Sequence, residues 1–485
     1  MTPKTVFMGA PSQYRGLMIG VAQKLKEESS SKIHLYCSTL QEVNHYKSRA
    51  SEYFESITCQ SVHYSAVNTK ISNDKDLWRI ARENESWLGQ SYNNLSISDR
   101  HFGRGFALGG YYHPRSRYSN ADYRSITHAY NVATNFWKKE IREKKPDLIV
   151  WGDRVCIAAA QAENIEVRLM AGSRYQDLHF WSVNEFWENP AIEYFFHKAS
   201  DEDGAGLKIE TPYHSHVINR KHFMSDISLS SRLKKITYVL AQYAYWKLRG
   251  YEKAKGYYLS EQVAFHLRVR RQARDLQRGG MLPLSSLKGK RFVFYPLQTE
   301  PETSLQTLSP EYFFQLETIA SVARDLPAGV ILAVKETFAG VGRRPDNFYG
   351  QIREFKNVEL IEMMELGLEV ASQAEAVVTI NGTAGLEAAV IGKPVIVFGH
   401  HNLYEVLPNV TKVSNDEDLK KCLKLALSGS INPQKNIIAG QRFLRAIIDT
   451  SFDLQSYDYR NPDVVNPEVI NDAYIKLLES LEDPV

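Results

Sequence analysis

Short apolar, β-branched runs recur along the chain, separated by longer stretches whose apolar positions follow a helical period. The runs fall at residues 5–10, 32–37, 148–151 and 167–170, and again at 291–295, 330–334, 357–361, 376–380 and 395–398. Apolar runs of this length suit strands of a parallel sheet, buried on both faces. Their alternation with helical stretches predicts a doubly wound α/β domain, twice over. Residues 183–290 lack such runs and read as helical, aromatic and basic. The predicted division is an N-terminal Rossmann-like domain over 1–220 and a helical connector over 221–290. A C-terminal domain over 291–450 follows, and a last helix within 451–485 is expected to pack back on the N-terminal domain.

The most informative stretch runs from 376 to 399. An apolar strand leads into the small residues Asn381, Gly382, Thr383, Ala384 and Gly385, then into a helix that Gly392 stops, then into a second strand after Pro394. Thr383 is expected to cap the helix. Free N–H groups and the positive end of the helix dipole meet at this turn, an arrangement that attracts phosphate. Glu387 lies about one turn inside the helix. It is placed either to accept hydrogen bonds from a ribose diol or simply to complement the dipole, and the turn alone leaves both open. The dinucleotide pattern G-x-G-x-x-G is absent, so a mononucleotide or sugar-nucleotide turn is the expectation.

In doubly wound domains, ligands bind at the carboxyl ends of the strands. That rule places Gln13 and Arg15 after the first strand, and Asp153 and Arg154 after the apolar run 148–151. Arg174 and Asp177 follow the run 167–170. Asp153 and Arg154 serve equally well as the start of the next helix.

Hydrophobic content of 43% and charged content of 24% describe a globular protein with ample core. A net charge of +3 gives no reason to expect nucleic acid. The four cysteines lack metal-ligand or disulfide spacing, and no apolar run approaches the roughly 18 residues of a membrane span. No signal-peptide pattern opens the chain, so a cytoplasmic location is expected. Over 221–290, Arg232, Lys234, Lys235, Lys247, Arg249, Lys253, Lys255, Arg268, Arg270, Arg271, Arg274 and Arg278 interleave with tyrosines. Such a segment either docks on anionic lipid, peripherally at the inner face of a membrane, or is a solvated connector. No nucleic-acid module accompanies it.

The C-terminal half carries four elements in order: Tyr295-Pro296-Leu297-Gln298-Thr299-Glu300-Pro301-Glu302-Thr303-Ser304; Leu332-Ala333-Val334-Lys335-Glu336; Asn357-Val358; and Thr379 through Ala388 with Gly392-Lys393-Pro394-Val395. Together they resemble the bacterial capsule and surface-polysaccharide biosynthesis proteins of GT-B fold, a group that includes β-Kdo transferases. The resemblance covers roughly 291–413 well and is only topological over 1–220. Many relatives read Lys-Glu-His-Pro where this chain has Lys335-Glu336-Thr337-Phe338. Kdo transferases carry an acidic Glu-Asp-Gly segment where Met170-Ala171-Gly172 stands here.

The resemblance implies an α/β, GT-B-like chain of two Rossmann-like domains facing a cleft. The implied activity is glycosyl transfer from a nucleotide-sugar, a CMP-linked ulosonic acid among the candidates, to a growing surface glycan or lipid-linked glycan. Thr383, Ala384 and Gly385 would hold the donor phosphate, Glu387 the ribose, and Lys335 the phosphate or the sugar's acid group. Gln298, Glu300, Glu302, Ser304, Asn381 and Gly382 complete the donor set. Gln13, Arg15, Arg154 and Arg174 stand on the acceptor side. Asp153, or failing that Asp177, is the expected base or nucleophile, with no metal and no cofactor beyond the donor itself. The alternatives are a sugar-nucleotide epimerase or hydrolase of related plan, and a non-catalytic polysaccharide assembly or export partner.

Overall fold

The structure is a computed structural model that describes residues 2–60, 65–71, 73–99, 121–210, 213–251, 254, 257–300, 302–429 and 432–482. Lys253, Lys255 and the Arg- and Gly-rich run 100–105 lie outside the described residues. The chain forms two compact units. One comprises the described parts of Met1–Phe102, Tyr118–Lys198 and Ala446–Val485; the other includes Ala199–Arg445.

The first unit is built on strands β1 (Thr5–Gly9), β2 (Lys32–Cys37), β3 (Ser56–Cys59), β4 (Leu148–Val150), β5 (Glu166–Gly172), β6 (Leu178–Ser182) and a later strand, Phe452–Asp453. From one edge the order is β3-β2-β1-β4-β5-β6 and then Phe452–Asp453. Pairing is parallel from β3 to β5 and antiparallel beyond. Val6, Met8, Leu148 and Val150 are fully buried, as the apolar runs require. The order reverses between β1 and β4, so a crevice opens at their carboxyl ends. There the backbone of Trp151, in the left-handed region at φ 63°, passes so close to Gly9 that a Cβ would sit 1.8 Å from the Trp151 carbonyl oxygen. Only glycine fits that position.

The helix Pro467–Glu479 belongs to this unit and packs on the helix Arg15–Ser29. Trp181 Nε1 donates to the Ala473 carbonyl at 2.8 Å, and the Ser29 and Tyr474 hydroxyls lie 2.8 Å apart.

The second unit holds six parallel strands. They are β7 (Arg291–Pro296), β8 (Val330–Lys335), β9 (Val358–Ile361), β10 (Ala376–Thr379), β11 (Val395–Val397) and β12 (Val410–Lys412), in the order β12-β11-β10-β7-β8-β9. Phe294, Tyr295, Leu332, Val378 and Ile396 are fully buried within it. The order reverses between β7 and β10. Each unit is thus Rossmann-like, and the two together have the composition of a GT-B chain.

Residues 221–290 do not stand as a separate body. The helix Leu259–Arg278 docks on the second unit, where the Gln272 carboxamide donates to the Arg344 carbonyl and accepts from the Gly342 amide, both at 2.7 Å. After β7 the chain makes a short 3-10 turn, Pro310–Tyr312, followed by the helix Gln315–Asp325. Gln315 starts that helix and turns its side chain to the Gln298 backbone. Asn402 and Tyr404 lie in a turn that the Asn402 amide closes on the Gly399 carbonyl at 2.9 Å.

Candidate functional site

In the second unit the turn after β10 is assembled by buried polar side chains. The Thr379 hydroxyl accepts from the Gly382 amide at 3.1 Å. In the orientation that satisfies both ends of its carboxamide, Gln298 accepts from the Asn381 and Gly382 amides at 2.9 and 2.8 Å and donates to Asn381 Oδ1 at 3.0 Å. Asn381 Nδ2 in turn donates to the Ser304 carbonyl and, at 3.1 Å, to the Ser309 hydroxyl. Tyr404 OH donates to the Gly382 carbonyl at 3.0 Å. A Cβ at residue 385 would stand 2.2 Å from that hydroxyl and 2.8 Å from Thr379 Cγ2. The absence of a side chain at Gly385 therefore lets the helix seat against the strand.

The helix that follows is Thr383–Val390. Its N-cap is Gly382 and no side chain caps it. Thr383 is therefore not the cap the sequence suggests. It is the first helical residue and is exposed, because Gly382 already takes the extended conformation that a cap needs. An uncapped N-terminus leaves backbone donors pointing outward from the turn.

Two half-buried charged groups accompany it. Glu387 stands on this helix, and Lys335 ends β8. Burial raises the Glu387 carboxyl to about 7, and the Lys335 charge partly opposes that rise. Burial lowers the Lys335 ammonium, while Glu336, Glu365 and Glu387 oppose it. Among the described residues, Lys335 and Glu387 sense each other's charge without closing into a salt bridge.

Gln298 and Glu300, read from sequence as donor-site residues, are taken up in the wall of the site. Glu300 is 8% exposed and pairs with Arg344 at 3.1 Å. Arg344 is fully buried, binds Glu336 through two bonds of 2.7 and 2.8 Å, and donates to the Gln298 carbonyl at 2.7 Å. Tyr349 OH adds a bond to Glu336 at 2.8 Å. A charge-assisted network of this kind holds the loop after β7 in one conformation. Glu302 is exposed, and Ser304 contributes its carbonyl to Asn381. Sequence reasoning missed Arg344, Thr379, Tyr404 and Gln315. Arg344 sits in a polar loop, and nothing in its local pattern marks it as fully buried.

In the first unit, Asp153 is the N-cap of the helix Arg154–Ala162, accepting from the Cys156 amide at 2.7 Å. Its second oxygen, Oδ2, is enclosed, and among the described residues no donor meets hydrogen-bond geometry to it. Burial raises its carboxyl to about 6 against the pull of the Cys156 amide, the Trp137 indole and the Val155 amide. The cap reading is thus observed.

Arg154 reaches Glu185 at 3.3 Å, and burial lowers its guanidinium. Asp177 is exposed in the tight turn between β5 and β6, where its carbonyl accepts from the Leu454 amide at 3.0 Å and from His179 Nδ1 at 2.9 Å. Arg174, at φ 67° in the same turn, lies 5.8 Å from the Trp187 ring. Arg15 pairs with Asp463 at 3.0 Å, and exposed Gln13 offers its carbonyl to Tyr457 OH at 2.8 Å. Trp151, Tyr14, Tyr457 and Tyr459 form an aromatic cluster beside them, with centroids 5.0–5.8 Å apart between successive rings. Tyr14 and Tyr457 are buried in this cluster and Tyr459 is exposed.

No curated protein matches the chain. Among solved structures it is similar to the β-Kdo 2,7 transferase of Thermosulfurimonas dismutans KpsC, at 14% identity over 71% of this chain and 89% of that one, with a TM-score of 0.31. The β-Kdo 2,4 transferase of the same organism's KpsC gives 13% identity, 61% and 87% coverage and a TM-score of 0.28. The UDP-GlcNAc 2-epimerase of Methanocaldococcus jannaschii gives 11% identity, 92% and 99% coverage and 0.24. Scores this low carry no argument about function. The family described as "Capsule polysaccharide biosynthesis protein" matches residues 201–414, less than half of the chain but including all six strands of the second unit. The resemblance read from the sequence therefore stands, and residues 201–414 are similar to the capsule polysaccharide biosynthesis proteins.

Proposed function

We propose that the chain is a glycosyltransferase of surface-polysaccharide assembly, taking its sugar from a nucleotide-sugar bound by the second unit and delivering it to a glycan acceptor bound by the first. One observation carries this reading. At the switch point of the second sheet, an uncapped helix N-terminus stands with Lys335 and Glu387, both half-buried and neither closed into an ion pair among the described residues. The Thr383 and Ala384 amides and the Lys335 ammonium would take up the charge that grows on the departing phosphate. Glu387 would accept from the ribose hydroxyls. With amides and an ammonium in that role, transfer is expected to proceed without a divalent metal.

In the first unit, Asp153 is proposed to deprotonate the acceptor hydroxyl or to attack the sugar as a nucleophile. A carboxyl held near 6 by burial is poised for such work at neutral pH. Arg15, Arg154 and Arg174 would favour an acidic acceptor or sugar.

The test is calorimetric titration of the full chain with CMP, UDP and GDP, followed by donor turnover with and without a glycan acceptor in EDTA. Tight binding of one nucleotide and acceptor-dependent release of it in EDTA is the expected result. Epimerisation or rapid hydrolysis without acceptor would replace this reading by an epimerase or hydrolase. Nucleotide binding with no turnover on any acceptor would replace it by a non-catalytic assembly partner. Activity lost in EDTA and restored by Mg²⁺ would refute metal independence.

A further inference from the structure

Gln272 is a buried glutamine on the core-facing side of the helix Leu259–Arg278. Val269, Ala273 and Leu276, on the same side by helical spacing, are apolar and share the core of the second unit with Val341. A carboxamide among such neighbours is tolerated only where both of its ends find partners. Gln272 finds both on one loop. The Arg344 carbonyl accepts from its Nε2 and the Gly342 amide donates to its Oε1, each at 2.7 Å. Apolar contacts alone would dock this helix. The glutamine also fixes the loop backbone on either side of Arg343.

The side chain that this backbone carries reaches both halves of the candidate site. The Arg344 guanidinium binds Glu336 through two bonds of 2.7 and 2.8 Å, and Glu336 directly follows Lys335 at the end of β8. It also donates to the Gln298 carbonyl at 2.7 Å. The Gln298 carboxamide, in the orientation that satisfies both of its ends, accepts from the Asn381 and Gly382 amides of the turn after β10. Gln272, Arg344, Gln298 and Asn381 are 4%, 0%, 7% and 0% exposed. Each link therefore lies out of water, where a hydrogen bond is strongest and an unpaired group costs most.

We infer that Gln272 is a positioning residue for the turn at 381–385: acting through Arg344 and Gln298, it holds that turn and the end of β8 in register. The helix Leu259–Arg278, which reads in sequence as part of a connector, thereby belongs to the frame of the site. The consequence for nucleotide binding rests on the proposed donor role of the turn; the mechanical link does not.

The test is amide hydrogen exchange on the unliganded full-length chain, wild type against Gln272→Met, which keeps the reach of the side chain and removes both bonds. A peptide spanning 379–386 should exchange about tenfold faster in the variant, while peptides of β1 and β4 in the first unit keep their wild-type rates. Gln272→Glu keeps an acceptor for the Gly342 amide and should fall between; it carries the test if Gln272→Met exchanges fast everywhere and so fails to fold. Titration with the tightest of CMP, UDP and GDP should show affinity about fivefold lower in Gln272→Met. Arg274→Ala, at an exposed position of the same helix, should match wild type in both measurements. Wild-type exchange at 379–386 in the Gln272 variants overturns the inference. Acceleration confined to 340–346 overturns it as well, because a purely local docking role gives that result. Faster exchange at 379–386 with undiminished affinity supports the link and refutes the donor role of the turn. The same exchange result in a wild type that binds none of the three nucleotides supports the link and refutes the proposed function.

Discussion

Replacing Glu387 by glutamine should make the unliganded protein more stable and the liganded site weaker, and both effects should depend on pH. The folded carboxyl sits at about 7, against 4.5 for the free group, because burial disfavours its charge. The sign follows from linkage. A carboxyl whose folded value is raised binds protons in the native state that the unfolded state has released, so stability falls as pH rises from about 4.5 through 7. At pH 8 the full difference corresponds to about 3 kcal/mol, and partial solvent exposure of Glu387 reduces it to about 1–3 kcal/mol.

Glutamine keeps the shape and removes the charge. The Glu387→Gln variant should therefore melt higher than wild type at pH 8, by roughly 2–4 °C for each kcal/mol in a unit of this size, and nearly level with it at pH 4.5. With nucleotide bound the order reverses, since ribose hydroxyls lose a charged acceptor worth about 1–3 kcal/mol. Scanning calorimetry at the two pH values, and titration at pH 8 with the tightest of CMP, UDP and GDP, read both effects. A variant destabilised at pH 8, or a melting difference independent of pH, would refute the buried-charge argument. Undiminished affinity at pH 8 would remove Glu387 from the ribose site.

Three further substitutions probe the supporting structure. Arg344→Met should cost about 3–5 kcal/mol because it strands Glu336 and Glu300 without their cation. Burial raises the Glu300 carboxyl and Arg344 opposes that rise, so the loss should shrink as pH falls; a deficit that is absent or that grows towards pH 5 contradicts the network. Gly385→Ala forces Tyr404 from the Gly382 carbonyl and should weaken nucleotide binding by about tenfold, an effect Tyr404→Phe should partly relieve by removing the clashing hydroxyl. Affinity unchanged in Gly385→Ala would show that the turn tolerates the shift. Asp153→Asn keeps an acceptor for the Cys156 amide, since asparagine caps as well as aspartate. It should fold normally yet transfer about 10²-fold more slowly, whereas near-normal transfer would leave Asp153 as a cap alone.

Much of the architecture was legible in the order of the residues. The apolar runs around Val6, Ile149, Val293, Leu332 and Val377 are all fully or almost fully buried strands, because a parallel sheet covered on both faces tolerates little else. The turn at 381–385 and its helix were readable from small residues followed by helix formers. The basic and aromatic content of 221–290 was plain as composition, but which face of each of its helices is covered depends on the neighbour it packs against.

Other features arise only when distant segments meet. Thr383 looked like a cap until the backbone placed Gly382 in that position. Glu300 looked like a ligand-facing acid until Arg344, 44 residues later, was folded against it. Asp153 reads in sequence as a cap or a base, and the tertiary structure makes the cap while leaving Oδ2 enclosed. The reason is physical. Periodicity records which residues must leave water, and that is a local property of the chain. Charge state and hydrogen-bond satisfaction depend on what the fold brings within a few ångströms, and in this protein the partners are separated by tens of residues.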